Sequence, residues 1–204
     1  SEYPTTSYTI FFRHYQVVIL ALQALTSANM KLITTAKEMF ELSSSTRSRG
    51  LSIGFVPTMG ALHSGHISLV KSAKQLCDMV VVSVFVNPTQ FNDPSDLKNY
   101  PRTFESDQHL LATEGVDVMF FPSKEEIYPV EESKHYNLDG LDELMEGPNR
   151  PGHFDGVVQV VTRLFDIVQP NSAFFGEKDF QQLVVIRYMA NKLGYSIKII
   201  GCPT

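Results

Sequence analysis

Two histidines three positions apart, His63 and His66, close the run Gly54-Phe55-Val56-Pro57-Thr58-Met59-Gly60-Ala61-Leu62-His63-Ser64-Gly65-His66. In a first helical turn, residues at i and i+3 lie on one face, so both rings can address one ligand. Three chemistries suit such a pair. Neutral or cationic imidazoles can donate to phosphate oxygens at a helix N-terminus, where charge builds up in a transition state. Two ring nitrogens can ligate a metal, although a third partner is then needed and helical zinc pairs more typically stand at i,i+4. The rings can also simply cap the turn. The flanks favour the phosphate role. Leu51 to Val56 is a short apolar run, and Ile67, Leu69, Val70, Ala73 and Leu76 recur at helical spacing after the turn. Strand, glycine turn and helix in that order aim backbone N–H groups and a positive helix terminus at an anion.

Two more polar clusters follow apolar runs. Asn87 and Gln90 come just after Met79–Val86. Asn87-Pro88 alone is an ordinary turn initiator, but amides both donate and accept, which suits a ligand carrying hydroxyl and carboxylate. Gly176-Glu177-Lys178-Asp179 follows Asn171–Phe175. An aspartate there is an ordinary cap, whereas a lysine in a first turn is disfavoured by the helix dipole unless an anion neutralises it. Of the two glutamines that follow, only Gln182 lies i+4 from Lys178 and shares its face. Arg102, Arg150 and His153 are further cationic candidates, balanced against plain surface solvation.

These clusters need a scaffold that gathers strand ends. From Met30, Lys31–Ile33 reads as a strand and Thr34 or Thr35 as the N-cap of a helix through Leu42, with Ser43–Gly50 a polar loop. The β-branched stretch Met79–Val86 predicts a strand covered on both faces. Asn92–Arg102, with two prolines, predicts mostly irregular chain, Phe104–Thr113 a helix, and Val116–Phe121 another strand. Ser123–Gly147 is the least regular part, with a short helix near Leu141–Met145 and room for an edge strand. The turn Arg150–Phe154 leads to a largely buried helix marked by Val157, Val158, Val160, Val161, Leu164, Phe165 and Val168. A strand over Asn171–Phe175, a helix to about Leu193 and a strand over Ser196–Ile200 complete the alternation. The pattern predicts a doubly wound α/β fold with a parallel sheet, in which ligands collect beyond the carboxyl ends of the strands. All three polar clusters fall at such ends.

The 204 residues suffice for one full core with a small appendage. A net charge of −5 argues against a large polyanionic partner such as DNA or tRNA, and says little about small phosphate ligands. The two cysteines, Cys77 and Cys202, form no CxxC or Cys/His spacing, which disfavours a disulfide framework or zinc site and suits a reducing cytoplasm. Residues 1–29 read as an extension of unknown role. Its apolar part, Ile10–Leu25, is interrupted by Arg13, His14 and Gln16, too short and broken for a membrane span and without the basic opening of a signal peptide.

At these residues the sequence resembles the pantothenate synthetase (pantoate–β-alanine ligase) family. Five blocks carry the resemblance in order: Val56–His66, Val84-Phe85-Val86-Asn87-Pro88-Thr89-Gln90-Phe91, Tyr100-Pro101-Arg102, Arg150-Pro151-Gly152-His153-Phe154, and Phe175-Gly176-Glu177-Lys178-Asp179-Phe180-Gln181-Gln182. It spans residues 30–204 and implies the ATP- and pantoate-binding domain, Rossmann-like and of nucleotidyltransferase type, of a homodimeric cytoplasmic ligase. The implied reaction uses ATP, Mg2+, pantoate and β-alanine, passes through pantoyl adenylate, and releases pyrophosphate and AMP on the route to coenzyme A. Carried over by position, Met59, Gly60, Ala61, Leu62, His63, Ser64, Gly65 and His66 line the ATP site together with Gly176, Glu177, Lys178 and Asp179. His66 is the expected proton donor, His63 and Lys178 meet the phosphates, and Asp179 meets the ribose. Gln90 and Gln182 hold pantoate, with Gln90 also beside β-alanine. No metal ligand is assigned among the side chains, and Ser64 and Cys202 occupy positions without a strict requirement. Family members continue with a serine-arginine loop and a smaller C-terminal lid domain beyond the Pro203-Thr204 position. The expectation for this chain is therefore the nucleotide-binding domain with weak catalysis. Other readings are a different nucleotidyltransferase with the same histidines, or a non-catalytic nucleotide-binding or dimerisation module.

Overall fold

The structure, a computed structural model, describes residues 30–130 and 135–203. The expected extension at residues 1–29 lies outside them. Six parallel strands, β1 (Lys31–Ile33), β2 (Ile53–Thr58), β3 (Met79–Val84), β4 (Val118–Phe120), β5 (Ser172–Gly176) and β6 (Lys198–Cys202), form one sheet in the order β1-β4-β3-β2-β5-β6. Among the described residues seven helices accompany it: α1 (Ala36–Ser48), α2 (Ser64–Leu76), α3 (Pro94–Asn99), α4 (Phe104–Thr113), α5 (Lys124–Ile127), α6 (His153–Val168) and α7 (Phe180–Lys192). The doubly wound parallel sheet expected from the alternation is the observed fold.

Successive residues of the central strands enter opposite layers, which is why the strands read as unbroken apolar runs. Ile53, Phe55, Val81 and Phe120 pack with Met39 of α1, Phe154, Val158 and Phe165 of α6 and Ile186 of α7. Val56, Val80, Val82 and Met119 pack on the other side with Leu69, Val70 and Ala73 of α2 and Leu111 of α4. Each fully buried large side chain contributes roughly 1.5–3 kcal/mol through removal from water.

The strand order reverses at β2, which has β3 on one side and β5 on the other. Here the sequence opens a crevice. β2 and β5 are paired only at Gly54↔Ser172 and Phe55↔Ala173, whereas β2 and β3 stay in register up to Thr58↔Val84. Ile53 bonds Asn171 on the β5 side through both its N–H and its carbonyl, so Pro57, four residues on, also turns its nitrogen toward β5. Proline has no N–H to give a ladder. The missing donor thus falls where the two strands have separated, and the gap lies beyond their carboxyl ends.

Four local expectations are corrected. Ser43–Gly50 is not a loop: α1 continues to Ser48 because Ser43 and Thr46, both fully buried, extend its packed face with small side chains. Asn92–Arg102 is not mostly irregular, since Asp93 caps the Ser95 N–H and Pro94 starts the helix α3. The segment through Gly147 adds α5 and 3-10 turns at Leu141–Glu143 and Gly147–Asn149, with no edge strand among the described residues. Leu76 ends α2 at 59% exposure rather than joining the core.

Candidate active site

A cavity of about 240 Å³ occupies the crevice. His63, Gly65 and His66 line it from the start of α2, Asn87 and Gln90 from the end of β3, and Gly176, Lys178, Asp179 and Gln182 from the end of β5. Val157, Val160, Val161 and Leu164 of α6 add an apolar wall, and Met59 and Tyr100 also line the space. The three strand-end clusters picked out in the sequence therefore converge on one space.

The histidine turn is built differently from its expected form. Gly60, at φ +84°, and Ala61, at φ +49°, are successive left-handed residues, a conformation that costs an alanine roughly 1–2 kcal/mol. Asp107, on α4 and only 2% exposed, holds them there. Its carboxylate accepts the Ala61 N–H at 3.0 Å, the Leu62 N–H at 2.8 Å and the Thr103 hydroxyl at 3.2 Å. The Gly60 N–H donates to Thr58 Oγ1, the His63 N–H to His66 Nδ1 at 3.4 Å, and the Gly65 N–H to His63 Nδ1 at 3.1 Å. These backbone donors are spent inside the turn. The Gly60, Ala61, Leu62, His63 and Gly65 N–H groups are therefore engaged within the turn, where the sequence predicts them free.

The imidazoles keep donors of their own. Each Nδ1 accepts a backbone N–H and so carries no proton in this arrangement, which leaves the proton of the neutral ring on Nε2. The two rings lie 4.2 Å apart between centroids, tilted by 43°. Burial, and then the neighbouring His63, push the His66 pKa below the ordinary imidazole range, with Asp107 and Asp179 opposing more weakly. His66 is therefore neutral at pH 7. Capping and ligand donation, alternatives in the sequence, are compatible in the structure: Nδ1 caps and Nε2–H remains as a donor.

Not every candidate reaches the cavity. Of the turn, Met59, His63, Gly65 and His66 line it, while Gly60 lines a neighbouring cavity of about 230 Å³ with Arg102, Asp107 and Lys124. Ala61, Leu62, Ser64 and Glu177 are not among the residues lining either space. Arg102 donates to the Leu97, Lys98 and Tyr100 carbonyls at the end of α3. Arg150 pairs with Glu146 at 3.2 Å. His153 is 5% exposed, its Nδ1 lies 2.9 Å from the Gln90 carbonyl, and burial lowers its pKa. It braces Gln90 from behind. Gln181, beside Gln182, is turned away and buried, bonding the Leu141 and Leu144 carbonyls and the Glu146 N–H. Two contributors were missed in the sequence. Asp107 was hidden inside a helical pattern, although a carboxylate one turn before buried Leu111 was a signal; Tyr100 was quoted only as part of a block.

Among the described residues no group of three or more His, Cys, Asp or Glu could hold a metal ion, and no helix is long and apolar enough to cross a membrane.

A parallel α/β sheet that gathers a paired-histidine turn and a lysine at its switch point has a nucleotidyltransferase-like fold. Comparison with known proteins takes this further. The family model described as pantoate-beta-alanine ligase matches residues 31–204. The chain belongs to that family. It is 54% identical over 175 residues to pantothenate synthetase of Phocaeicola vulgatus, and 52% identical over 174 residues to that of Bacteroides thetaiotaomicron, covering 85% of this chain and 62% of each relative. The chain thus spans under two thirds of the length of these curated relatives. Among solved structures, pantoate-beta-alanine ligase from Francisella tularensis, complexed with beta-gamma ATP and beta-alanine, superposes with a TM-score of 0.81 at 44% identity, covering 86% of this chain and 67% of that one. Pantothenate synthetase from Thermus thermophilus gives 0.78 at 46% identity, covering 86% and 62%.

Proposed function

We propose that the protein binds ATP and pantoate in this cavity and carries the adenylating site of a pantoate–β-alanine ligase. The observation that carries the reading is the convergence on one cavity of two chemically different sets of lining groups, its two walls in the chemical sense: His63, His66, Lys178 and Asp179, and Gln90 and Gln182 with the apolar face of α6. The first wall suits a triphosphate and ribose. The second suits a small branched hydroxy acid, its methyl groups against Val157, Val161 and Leu164 and its oxygens toward the amides.

In the first step a pantoate carboxylate oxygen attacks the α-phosphorus of ATP, the bond to the bridging oxygen breaks, and pyrophosphate leaves. In the second, the β-alanine amine attacks the acyl carbon, AMP leaves, and the amine nitrogen loses its proton to give pantothenate. The chain's contribution is positioning and charge stabilisation. Nε2–H donors of His63 and His66 and the Lys178 ammonium meet charge developing on phosphate oxygens, and Asp179 accepts from ribose hydroxyls. Mg2+ would come with the ATP phosphates and neutralise part of their charge, since no group of three or more His, Cys, Asp or Glu among the described residues could hold it. A cytoplasmic setting and a homodimer belong to the same proposal; the unpaired Cys77 and Cys202 support the former, and sedimentation checks the latter.

A coupled assay for AMP release tests the reading. AMP formation that requires ATP, pantoate and β-alanine together supports it. Binding of neither ATP nor pantoate by calorimetry would instead favour a non-catalytic module.

A further inference from the structure

Behind the cavity wall, a buried relay fixes which end of the Gln90 amide faces the ligand. Asn87 is 1% exposed and has partners at both ends of its side chain. Its Oδ1 accepts from the Thr89 N–H at 3.4 Å, the Thr89 hydroxyl at 3.1 Å and the Tyr128 hydroxyl at 2.9 Å. Its Nδ2 donates to the Gly156 carbonyl at 3.0 Å and to Gln90 Oε1 at 3.2 Å. A backbone N–H can only donate and a backbone carbonyl can only accept, so Thr89 and Gly156 leave the Asn87 amide one orientation. Gln90 is fixed in turn: its carbonyl oxygen faces Asn87, and its NH2 faces Met59 Sδ, 2.9 Å away, and the cavity.

The backbone carrying Gln90 is clamped as well. His153 sits on its carbonyl, and α6 approaches so closely that a Cβ on Gly156 would lie 2.4 Å from the Thr89 carbonyl oxygen. Tyr128, just past α5, comes from a different part of the chain and does not line the cavity. Burial is the main influence on its hydroxyl, raising the pKa, so the group remains a protonated donor through the physiological range.

We propose that Tyr128 is a positioning residue that acts through Asn87 to hold Gln90 as a one-way N–H donor. At this point the cavity then accepts a ligand group with a free lone pair, such as a carboxylate, carbonyl or hydroxyl oxygen, and rejects an ammonium or amide N–H. This rests on the reading that the cavity takes pantoate, and it deepens that reading. The acid substrate is seated at Gln90 through an oxygen, and an amino acid can meet the same group only through its carboxylate.

Calorimetry with D-pantoate and with its primary amide, in the presence of a non-hydrolysable ATP analogue, combined with steady-state kinetics, tests the relay. Tyr128→Phe keeps the ring and removes the donor. The expected result is a rise of about 3–10-fold in the KM for pantoate, the effect of loosening one neutral hydrogen bond, with the KM for ATP unchanged and the Tm lowered by no more than about a few degrees. Gln90→Glu presents a carboxylate oxygen to the cavity and should weaken pantoate binding by at least about 30-fold while reversing the preference toward the amide. An unchanged pantoate KM in Tyr128→Phe, an equal loss for ATP and pantoate with a lowered Tm, or wild-type pantoate binding by Gln90→Glu would each overturn the relay. Wild-type protein that binds no pantoate beside the ATP analogue would overturn the functional reading itself, whereas binding that ignores Tyr128 would overturn the relay alone.

Discussion

The two polar walls of the cavity are made in opposite ways. The histidine turn is a surface feature: its rings are partly exposed, its backbone passes through two left-handed residues, and one carboxylate from another helix supports it. The amide wall is anchored in the interior: Gln90 is itself half-buried, but Asn87 behind it is 1% exposed and ties together Thr89, Gln90, Tyr128 and Gly156. The difference matches the work proposed for each. A phosphate wall must meet charge that moves during the reaction and can use groups open to solvent and nucleotide. A wall that reads one small acid needs donors whose direction does not change, and burial supplies that fixity.

The comparison can be broken most sharply at His66. His66→Ala removes an Nε2–H donor and the cap on the His63 N–H. Pyrophosphate formation should fall by about 10²–10³-fold, as for loss of one preorganised donor to a developing charge, with pantoate affinity unchanged; single-turnover assays and calorimetry separate the two. Asp107→Ala tests the support of the same wall from outside the cavity. It orphans the Ala61 and Leu62 N–H groups beside a left-handed alanine, and stability should drop by roughly 2–3 kcal/mol in urea denaturation. The KM for ATP should rise more than that for pantoate.

On the amide wall, Gly156→Ala is informative because helix propensity predicts a gain while packing predicts a loss. An alanine within a helix is favoured over glycine by up to roughly 0.8–1 kcal/mol, but here, in the first turn of α6, its Cβ would meet Thr89 backbone rather than a yielding side chain. The contact should win, lowering Tm and raising the KM for pantoate rather than for ATP. The smallest effect is with pH. His66 and His153 both have pKa values lowered by burial, so the unfolded chain binds more protons below the ordinary imidazole pKa of about 6.5. Stability should hold above that pH and decline as pH falls through it toward the lowered folded values. The decline should be shallower in His153→Asn, measured as the urea midpoint at pH 7.5 and 5.5.

Most of the sheet was legible because its strands are buried on both faces and interrupt the chain as uniform β-branched runs, as in Met79–Val84. The convergence of three clusters was legible because a parallel fold places every strand's carboxyl end on one side. What could not be read was anything carried by a partner remote in sequence. Asp107 supports a turn 45 and 46 residues away, and Tyr128 reaches Asn87 across 41; nothing in local periodicity marks either. The length of α1 escaped for a related reason. Ser43 and Thr46 look like loop residues until α1 is packed on the rest of the fold and they prove to be buried. The histidine turn falls where its sequence places it, but the engagement of the Ala61, Leu62, His63 and Gly65 N–H groups by Asp107 and the ring nitrogens could not be read there.

The claim that both walls serve one cavity is tested most directly by ATP–pyrophosphate exchange, which reads adenylate formation with β-alanine left out. The account predicts label from pyrophosphate appearing in ATP only when pantoate is present, and disappearing in His66→Ala and in Gln90→Glu alike. Exchange that proceeds without pantoate, or that survives loss of either wall, would contradict it.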